Sequence, residues 1–364
     1  MNPESFLLEQ RRPKYEEVNF FLFEECNLHC KFCFQKNYVI RKPSMPLLEK
    51  KLDLMKQVIK ESPKTVFEIQ MMGGELFYDE LDDVYFDKYY EIIKTISDYA
   101  TSLNKKANWV ITTNLVHTKT DRVVNLLNRI TNDGIKINLC SSFDFQTRFT
   151  KDEQLDIYYE NCKFYKQLGY LITCSFLISK PNVEVLMGKR KERVKTLETF
   201  NRLYNEGFHL SEEFYSPFSK NYKEYNLSEK EFLEFMYFIV DNYPNVHGVH
   251  ELSKEACGPF CQKLTFISSE HGIVKGNCMA CSNKDLMYLA TVPNVQGNED
   301  LEQSFMREKH CLNCSYFNRC KMGCFVFFGF KDRVRLKKCV FRCLYNYIET
   351  GVKEYPEQVE SQEG

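Results

Sequence analysis

Three cysteines near the amino end, Cys26, Cys30 and Cys33 in the run EECNLHCKFCFQ, have the spacing Cys-x3-Cys-x2-Cys. This puts three thiolates on one short loop. A four-iron cluster normally takes four Cys thiolates, so a loop offering three leaves one iron open to another ligand. A zinc knuckle or scattered core thiols would use the same residue type. A second group stands far downstream, where CLNCSYFNRCKMGC carries Cys311, Cys314, Cys320 and Cys324 as Cys-x2-Cys-x5-Cys-x3-Cys. Four-thiolate shells hold zinc or iron–sulfur clusters, and spacing alone does not separate the two.

Composition limits what these thiols can be. The chain has 364 residues, 16 of them Cys, with 43% hydrophobic and 27% charged residues and a net charge of −1. That balance is ordinary for a soluble protein of more than one domain. It gives no concentrated basic field for nucleic acid or an anionic membrane. No apolar run reaches the ~20 residues of a membrane span, and MNPESFLLEQRRPKYEE lacks the apolar core of a signal peptide. A cytoplasmic setting follows, where cysteines serve as metal ligands or free thiols and not as a disulfide framework. Cys140, Cys162 and Cys174 follow no ligand spacing and read as small buried apolar residues.

Strands and helices must position the first loop. VNFFLFEE (18–25), VFEIQMM (66–72), NWVITTN (108–114), IKINLCS (135–141), YLITCSFLI (170–178) and FHLSEEFY (208–215) have strand composition, and helical periodicity follows each. Six such units predict a parallel α/β sheet with right-handed crossovers, short of the eight that close a barrel. The final stretch, EYPEQVESQEG, reads as a polar tail. The second strand ends in Gly73-Gly74-Glu75, where glycines permit close backbone approach and a carboxylate can accept from an ammonium. Asn114 ends the third strand, and Ser142 and Asp144 end the fourth, where turn and helix-cap chemistry is the competing explanation. Arg148 reads as a solvated surface residue, with pairing to a ligand carboxylate as the alternative.

The cysteine loop, with aromatic Phe32 before its third Cys and an apolar strand before its first, resembles the signature of the radical S-adenosylmethionine (radical SAM) superfamily. The resemblance implies a partial (β/α)6 TIM-like barrel. Its cluster, held by Cys26, Cys30 and Cys33, would chelate the amino and carboxylate groups of SAM and reduce the sulfonium to release a hydrogen-abstracting radical. It implies cofactor contacts at Phe32, Gly73, Gly74, Glu75, Asn114, Ser142 and Asp144, although Leu115 replaces the Gly that usually follows the Asn.

The downstream block resembles the SPASM extension, which carries two auxiliary 4Fe–4S clusters. That resemblance implies Cys257, Cys261, Cys278 and Cys324 for the first and Cys311, Cys314, Cys320 and Cys343 for the second, Cys339 being the other candidate for the last place. It departs at Gly272, which five residues and not four separate from Cys278. Three clusters and SAM are thus the expected cofactors. The implied organisation is an extension (1–17), a barrel (18–243), an auxiliary-cluster domain (244–345) and a tail (346–364). SPASM relatives mostly modify peptides or proteins, so the expected activity is cross-linking, oxidation or epimerisation of such a substrate. A flavodoxin- or ferredoxin-type donor would supply electrons. The short amino-terminal segment leaves room for no leader-recognition domain, so any leader would be bound by the barrel, by the bridge near 215–256 or by a separate leader-binding protein. Met279 stands where sulfatase maturases carry an aspartate, which disfavours that activity. A small-molecule alcohol dehydrogenase or epimerase and an iron–sulfur electron-transfer or sensor protein are the alternatives. No general base is evident; His247, His250 and His271 flank the cysteine block and read as solvated or core residues.

Overall fold

A computed structural model describes residues 14–33, 39–191, 193–214, 222–252, 265–269, 272–275, 303, 305–320 and 334–358. Cys257, Cys261, Cys278, Cys281 and Cys324, with Met279 and His271, lie outside these, as do residues 215–221 and 325–330.

Strands β1 (Glu16–Phe21), β2 (Val66–Met72), β3 (Lys106–Thr112), β4 (Ile137–Phe143), β5 (Ile172–Ile178) and β6 (His209–Phe214) pair parallel in sequence order. Helices α1 (Met45–Glu61), α2 (Asp83–Ser102), α3 (Thr120–Asn132), α4 (Asp152–Gln167), α5 (Lys180–Leu186) and α6 (Val194–Asn205) make the crossovers, and α7 (Glu229–Asn242) and α8 (His247–Leu252) follow β6. The order is β6-β5-β4-β3-β2-β1-β7-β8, with β6 and β8 at open edges. This is the partial barrel expected from the alternation of strand and helix.

Two strands were not expected. β7 (Thr265–Ser268) joins β1 in parallel and β8 (Gly272–Lys275) pairs antiparallel with β7, so residues assigned to the auxiliary-cluster segment extend the barrel sheet. β1 is also shorter than VNFFLFEE predicts. The amide of Leu22 still reaches Met72 O at 2.9 Å, but those of Glu24 and Glu25 turn to Arg41 O, each at 3.1 Å, and the chain leaves the sheet.

Alternation along the strands gives the barrel two chemically distinct faces. Val18, Phe20, Phe67, Ile69, Met71, Trp109, Ile111, Leu139, Cys174 and Phe176 are buried under the helices. Each helix supplies a matching stripe; α1 buries Leu48, Leu52, Met55, Val58 and Ile59 at helical spacing. Cys162 and Cys174 are wholly buried, as expected, while Cys140 is on the other face and half-buried. That inner face is mixed: Glu17, Asn19, Glu68, Gln70, Asn108, Thr112, Cys140, Ser142, Ser175, Ser211 and Glu213 share it with Phe21, Met72, Val110 and Leu177. Closed eight-fold barrels fill this space with branched apolar side chains. Here hydrogen-bonding groups line much of it, such as Gln70 Nε2 donating to Thr112 Oγ1 at 2.8 Å.

The carboxyl-terminal helix α9 (Val340–Thr350) packs on α7, with the rings of Tyr237 and Tyr347 4.8 Å apart. It crosses the boundary set at 346. The following residues are docked: Tyr237 Oη donates to Glu354 O at 2.9 Å, and Lys337 N to Glu357 O at 2.9 Å. A buried ion pair fastens the cysteine-bearing segment to α7, Lys309 Nζ lying 3.4 Å from Glu229 Oε1 while Leu336 N donates to Glu229 Oε2 at 2.7 Å. Among the described residues no helix is long and apolar enough to cross a membrane.

One buried charge in this core is poorly matched. Lys51 of α1 is wholly buried and its Nζ has no hydrogen-bond partner. Burial lowers its pKa from 10.5 to about 7, with Glu24 opposing and Arg41 adding to the shift. Between those two values the unfolded chain holds a proton that the folded one has released. Stability should therefore rise with pH from about 7 to 10.5, the burial penalty being fully present below that window. Lys51→Met should raise unfolding free energy by about 1–3 kcal/mol at neutral pH and flatten that slope, read by denaturant melts across the window.

Candidate functional site

The cysteine loop lies where β1 ends, against the ends of β2, β3 and β4. Gly74 sets the spacing to β2: a Cβ there would fall 1.7 Å from Glu25 O and 2.5 Å from Glu24 O, so only glycine lets the turn approach the loop's backbone. Glu75 N then donates to Glu25 O at 2.9 Å. The Glu75 side chain turns inward and is 1% exposed. Its Oε1 accepts from Phe77 N at 2.9 Å and Thr113 Oγ1 at 2.6 Å, and its Oε2 from Asn114 N. Burial raises its pKa while these donors lower it. Both carboxylate oxygens are thus engaged by protein donors, which makes Glu75 a brace between the β2 and β3 ends.

Asn114 passes the brace to the cysteines. Its Nδ2 donates to Asn27 Oδ1 at 2.7 Å and lies 3.8 Å from Cys26 Sγ, while its Oδ1 accepts from Val116 N at 2.8 Å. The next residue, Leu115, takes the left-handed conformation that the missing Gly would suit, with φ 56°. Asn161 holds this turn, its Nδ2 donating to Leu115 O at 2.9 Å and His117 O at 2.8 Å. The Leu115 side chain is wholly buried.

The β4 end closes the other side. Asp144 is buried, and its Oδ1 accepts from the amides of Gln146 at 3.0 Å, Thr147, and Arg148 at 3.0 Å. This is turn-capping chemistry. Ser142 is half-buried on the inner face. Lys31 N donates to Thr147 Oγ1 at 3.3 Å, tying this turn to the cysteine loop.

Arg148 departs from the surface role expected of it. It is half-buried, its Nε is enclosed without a hydrogen-bond partner, and its guanidinium carbon stands 5.8 Å from the Phe32 ring centroid. The charges that raise its pKa against burial are, in order, Cys30, Asp144 and Cys26. An arginine placed in the field of two loop thiols, its Nε unpaired among the described residues, was not legible in the sequence.

The thiols fit an iron–sulfur cluster in donor chemistry. Burial pushes the Cys26 thiol up to about 12, with Glu75 adding to the shift, and burial also raises Cys30 while Arg148 lowers both. Burial therefore favours the neutral thiol at Cys26 and Cys30. Iron binding must expel their protons, and Arg148 is the cation present to offset the thiolate charge. Leu28 N already donates to Cys26 Sγ at 3.4 Å, the kind of contact that tunes cluster sulfurs. Among the described residues no three His, Cys, Asp or Glu side chains are grouped as for a single metal ion.

Cys311, Cys320 and Cys343 are buried, and Cys314 and Cys339 half-buried. Of the histidines, His247 lies edge-on to His209 with ring centroids 5.0 Å apart. His117, which the sequence did not mark, is buried with Nε2 2.7 Å from Tyr165 Oη, and burial lowers its pKa to about 4.

Comparisons agree with this geometry. Residues 17–148 match the family model described as 4Fe-4S single cluster domain. No curated protein matches the chain in sequence. Among solved structures, native anSMEcpe with bound AdoMet aligns with TM-score 0.56 at 14% identity, over 85% of this chain and 89% of that one. SuiB of Streptococcus suis, bound to the precursor peptide SuiA, aligns with TM-score 0.48 at 15% identity, over 89% of this chain and 75% of that one. The chain shares its fold with anSMEcpe, and residues 17–148 match a 4Fe–4S single cluster domain, with a cysteine-rich segment downstream.

Two substitutions test the site's construction. Gly74→Ala must displace the backbone at Glu25; the expected cost is about 1–3 kcal/mol, with a loss of iron uptake on anaerobic reconstitution. Undiminished iron with unchanged stability would refute the close approach. Leu115→Gly relieves about 1–2 kcal/mol of left-handed strain but removes a buried Leu worth about 2–5 kcal/mol. Packing outweighs strain, so thermal melts should show a net destabilisation.

Proposed function

We propose that the chain is a radical SAM enzyme that abstracts hydrogen from a side chain or α-carbon of a peptide or protein, leading to cross-linking, oxidation or epimerisation. The observation that carries this is the three-thiol loop, locked through Asn114, Glu75 and Gly74 to the carboxyl ends of the strands, where barrel folds of this kind collect their chemistry. Cys26, Cys30 and Cys33 would hold the cluster, with SAM beside it. Phe32, Gly73, Gly74, Asn114, Ser142 and Asp144 would line the SAM site; Glu75 would serve by holding the backbone in place. When bound, the cluster and SAM supply reductive sulfonium cleavage and hydrogen abstraction.

What the chain itself provides is position and shielding. Arg148 offsets thiolate charge, and the turn capped by Asp144 holds Arg148 over Phe32. The hydrogen-bonding groups of the inner face suit a polar substrate, a peptide or a sugar-like alcohol alike. Two auxiliary clusters in the downstream segment would carry electrons from the substrate, with a flavodoxin- or ferredoxin-type protein as donor to the first. A separate leader-binding protein could present the peptide.

The test is anaerobic. Iron-loaded enzyme reduced with dithionite in the presence of SAM should form 5′-deoxyadenosine, and Cys30→Ala should not. Failure of the intact, iron-loaded enzyme to form it would refute the reading. Mass spectrometry of a short peptide encoded beside this gene, co-expressed with the enzyme in deuterated water, then identifies the reaction: a loss of two hydrogens marks oxidation and a gain of deuterium epimerisation.

A further inference from the structure

The segment that leads from the cysteine loop to α1 returns to lie beside the end of β1. Arg41 O accepts from the amides of Glu24 and Glu25, each at 3.1 Å, and Arg41 N donates to Glu24 Oε2 at 3.3 Å. The Arg41 guanidinium holds the same acid, Nη1 standing 3.7 Å from Glu24 Oε1, and reaches Val39 O at 3.4 Å. Tyr85 Oη donates to Pro43 O at 3.0 Å. The backbone of residues 39–43 is thus fixed against the residues that lead directly into Cys26.

Two of its side chains do the opposite of what burial favours. Val39 is 64% exposed and Ile40 54%. Among the described residues no large apolar side chain is more exposed than Val39, and no other two consecutive ones are both exposed. Single exposed apolar residues are ordinary, whereas apolar residues grouped on the surface beside charged ones mark an interaction site. Here the fixed backbone holds the pair outward.

The charges beside the pair are basic. Lys42 is 82% exposed, and on the cysteine loop itself Lys31 is exposed. The two acids in contact with the segment are turned inward. Glu24 is buried, and Glu25 takes the hydroxyl of Tyr78 while standing 3.3 Å from Lys42 Nζ. The outermost charge of the segment is therefore positive, which suits an acidic partner.

A cluster held by Cys26, Cys30 and Cys33 needs an electron from outside, and electron transfer falls off steeply with distance. Its donor must bind close to the loop. Encounters between electron-transfer proteins are small and transient, so a short apolar strip with basic neighbours is enough to guide one. We infer that Val39, Ile40 and Lys42, with Lys31 on the loop, form the docking face for the electron donor, a small acidic one-electron carrier protein whose redox group lies near its surface. The inference rests on the proposed function, and dithionite, which needs no docking face, separates the failure of one from that of the other.

The full chain, iron-loaded anaerobically, is compared as wild type, Lys31→Gln/Lys42→Gln and Val39→Ser/Ile40→Ser, each given SAM and either reduced flavodoxin or dithionite. With flavodoxin at low salt, 5′-deoxyadenosine should form about tenfold more slowly in the lysine variant and more slowly also in the apolar variant. Added salt should slow the wild type more than the lysine variant. With dithionite all three should agree. Binding gives a second readout: the wild type should broaden the amide resonances of isotope-labelled oxidised flavodoxin, and the apolar variant should not. Equal flavodoxin-driven rates and equal broadening in all three would overturn the inference, as would a wild type that responds to dithionite but not to flavodoxin. A dimer that Val39→Ser/Ile40→Ser breaks, with the flavodoxin-driven rate retained, would give the face to a second copy and overturn it too. No 5′-deoxyadenosine from the wild type with dithionite would refute the proposed function and the inference with it. Should the lysine variant fail to hold iron, the apolar variant, altered only at exposed side chains, decides.

Discussion

The geometry of the cysteine loop depends on one buried carboxylate. Glu75 accepts from Phe77, Thr113 and Asn114 while its own amide donates to Glu25, so a single residue connects the ends of β2 and β3 to the β1 loop. A buried charge is tolerated only when its acceptor capacity is filled, and here both oxygens are occupied. The consequence runs outward: Asn114, fixed by its amide, places its side chain on Asn27 and Cys26. Weakening this carboxylate would loosen the thiols without touching them.

That arrangement shows why part of the site was legible and part was not. Cys26, Cys30 and Cys33 are close in sequence, and spacing alone puts them on one loop. Gly73-Gly74-Glu75 could be read as a close-approach turn, and Gly74 meets that expectation. The role of the Glu75 side chain could not be read, because its partners lie on another strand nearly forty residues on and no local pattern links them. Arg148 is the clearer case. An arginine after a strand is solvated on base expectation, and only the turn that Asp144 caps carries it back over Phe32.

The fold divides in the same way. Six strands were legible because hydrophobic alternation is a local signal. β7 and β8 are four residues each and give no local signal: β7 pairs with β1, some two hundred and fifty residues earlier, and β8 only with β7. Residues 354–358 differ from the polar-tail expectation for a related reason: their composition is polar, yet Glu354 is held by Tyr237, Lys338 and Asn346. Composition reports solvent preference, while docking depends on specific hydrogen-bond partners.

Charge placement also links the barrel to the segment beyond it. The buried Lys309–Glu229 pair joins the cysteine-bearing segment to α7, and Glu229 also accepts from Leu336 N, so that cation is neutralised where it stands. Arg148 is placed differently. The Asp144 carboxylate that acts on it accepts from three backbone amides, which share its negative charge. Arg148 therefore keeps part of its own charge for Cys30 and Cys26. Backbone donors do electrostatic work at a distance: by satisfying the acid, they leave positive charge for the thiols of the loop.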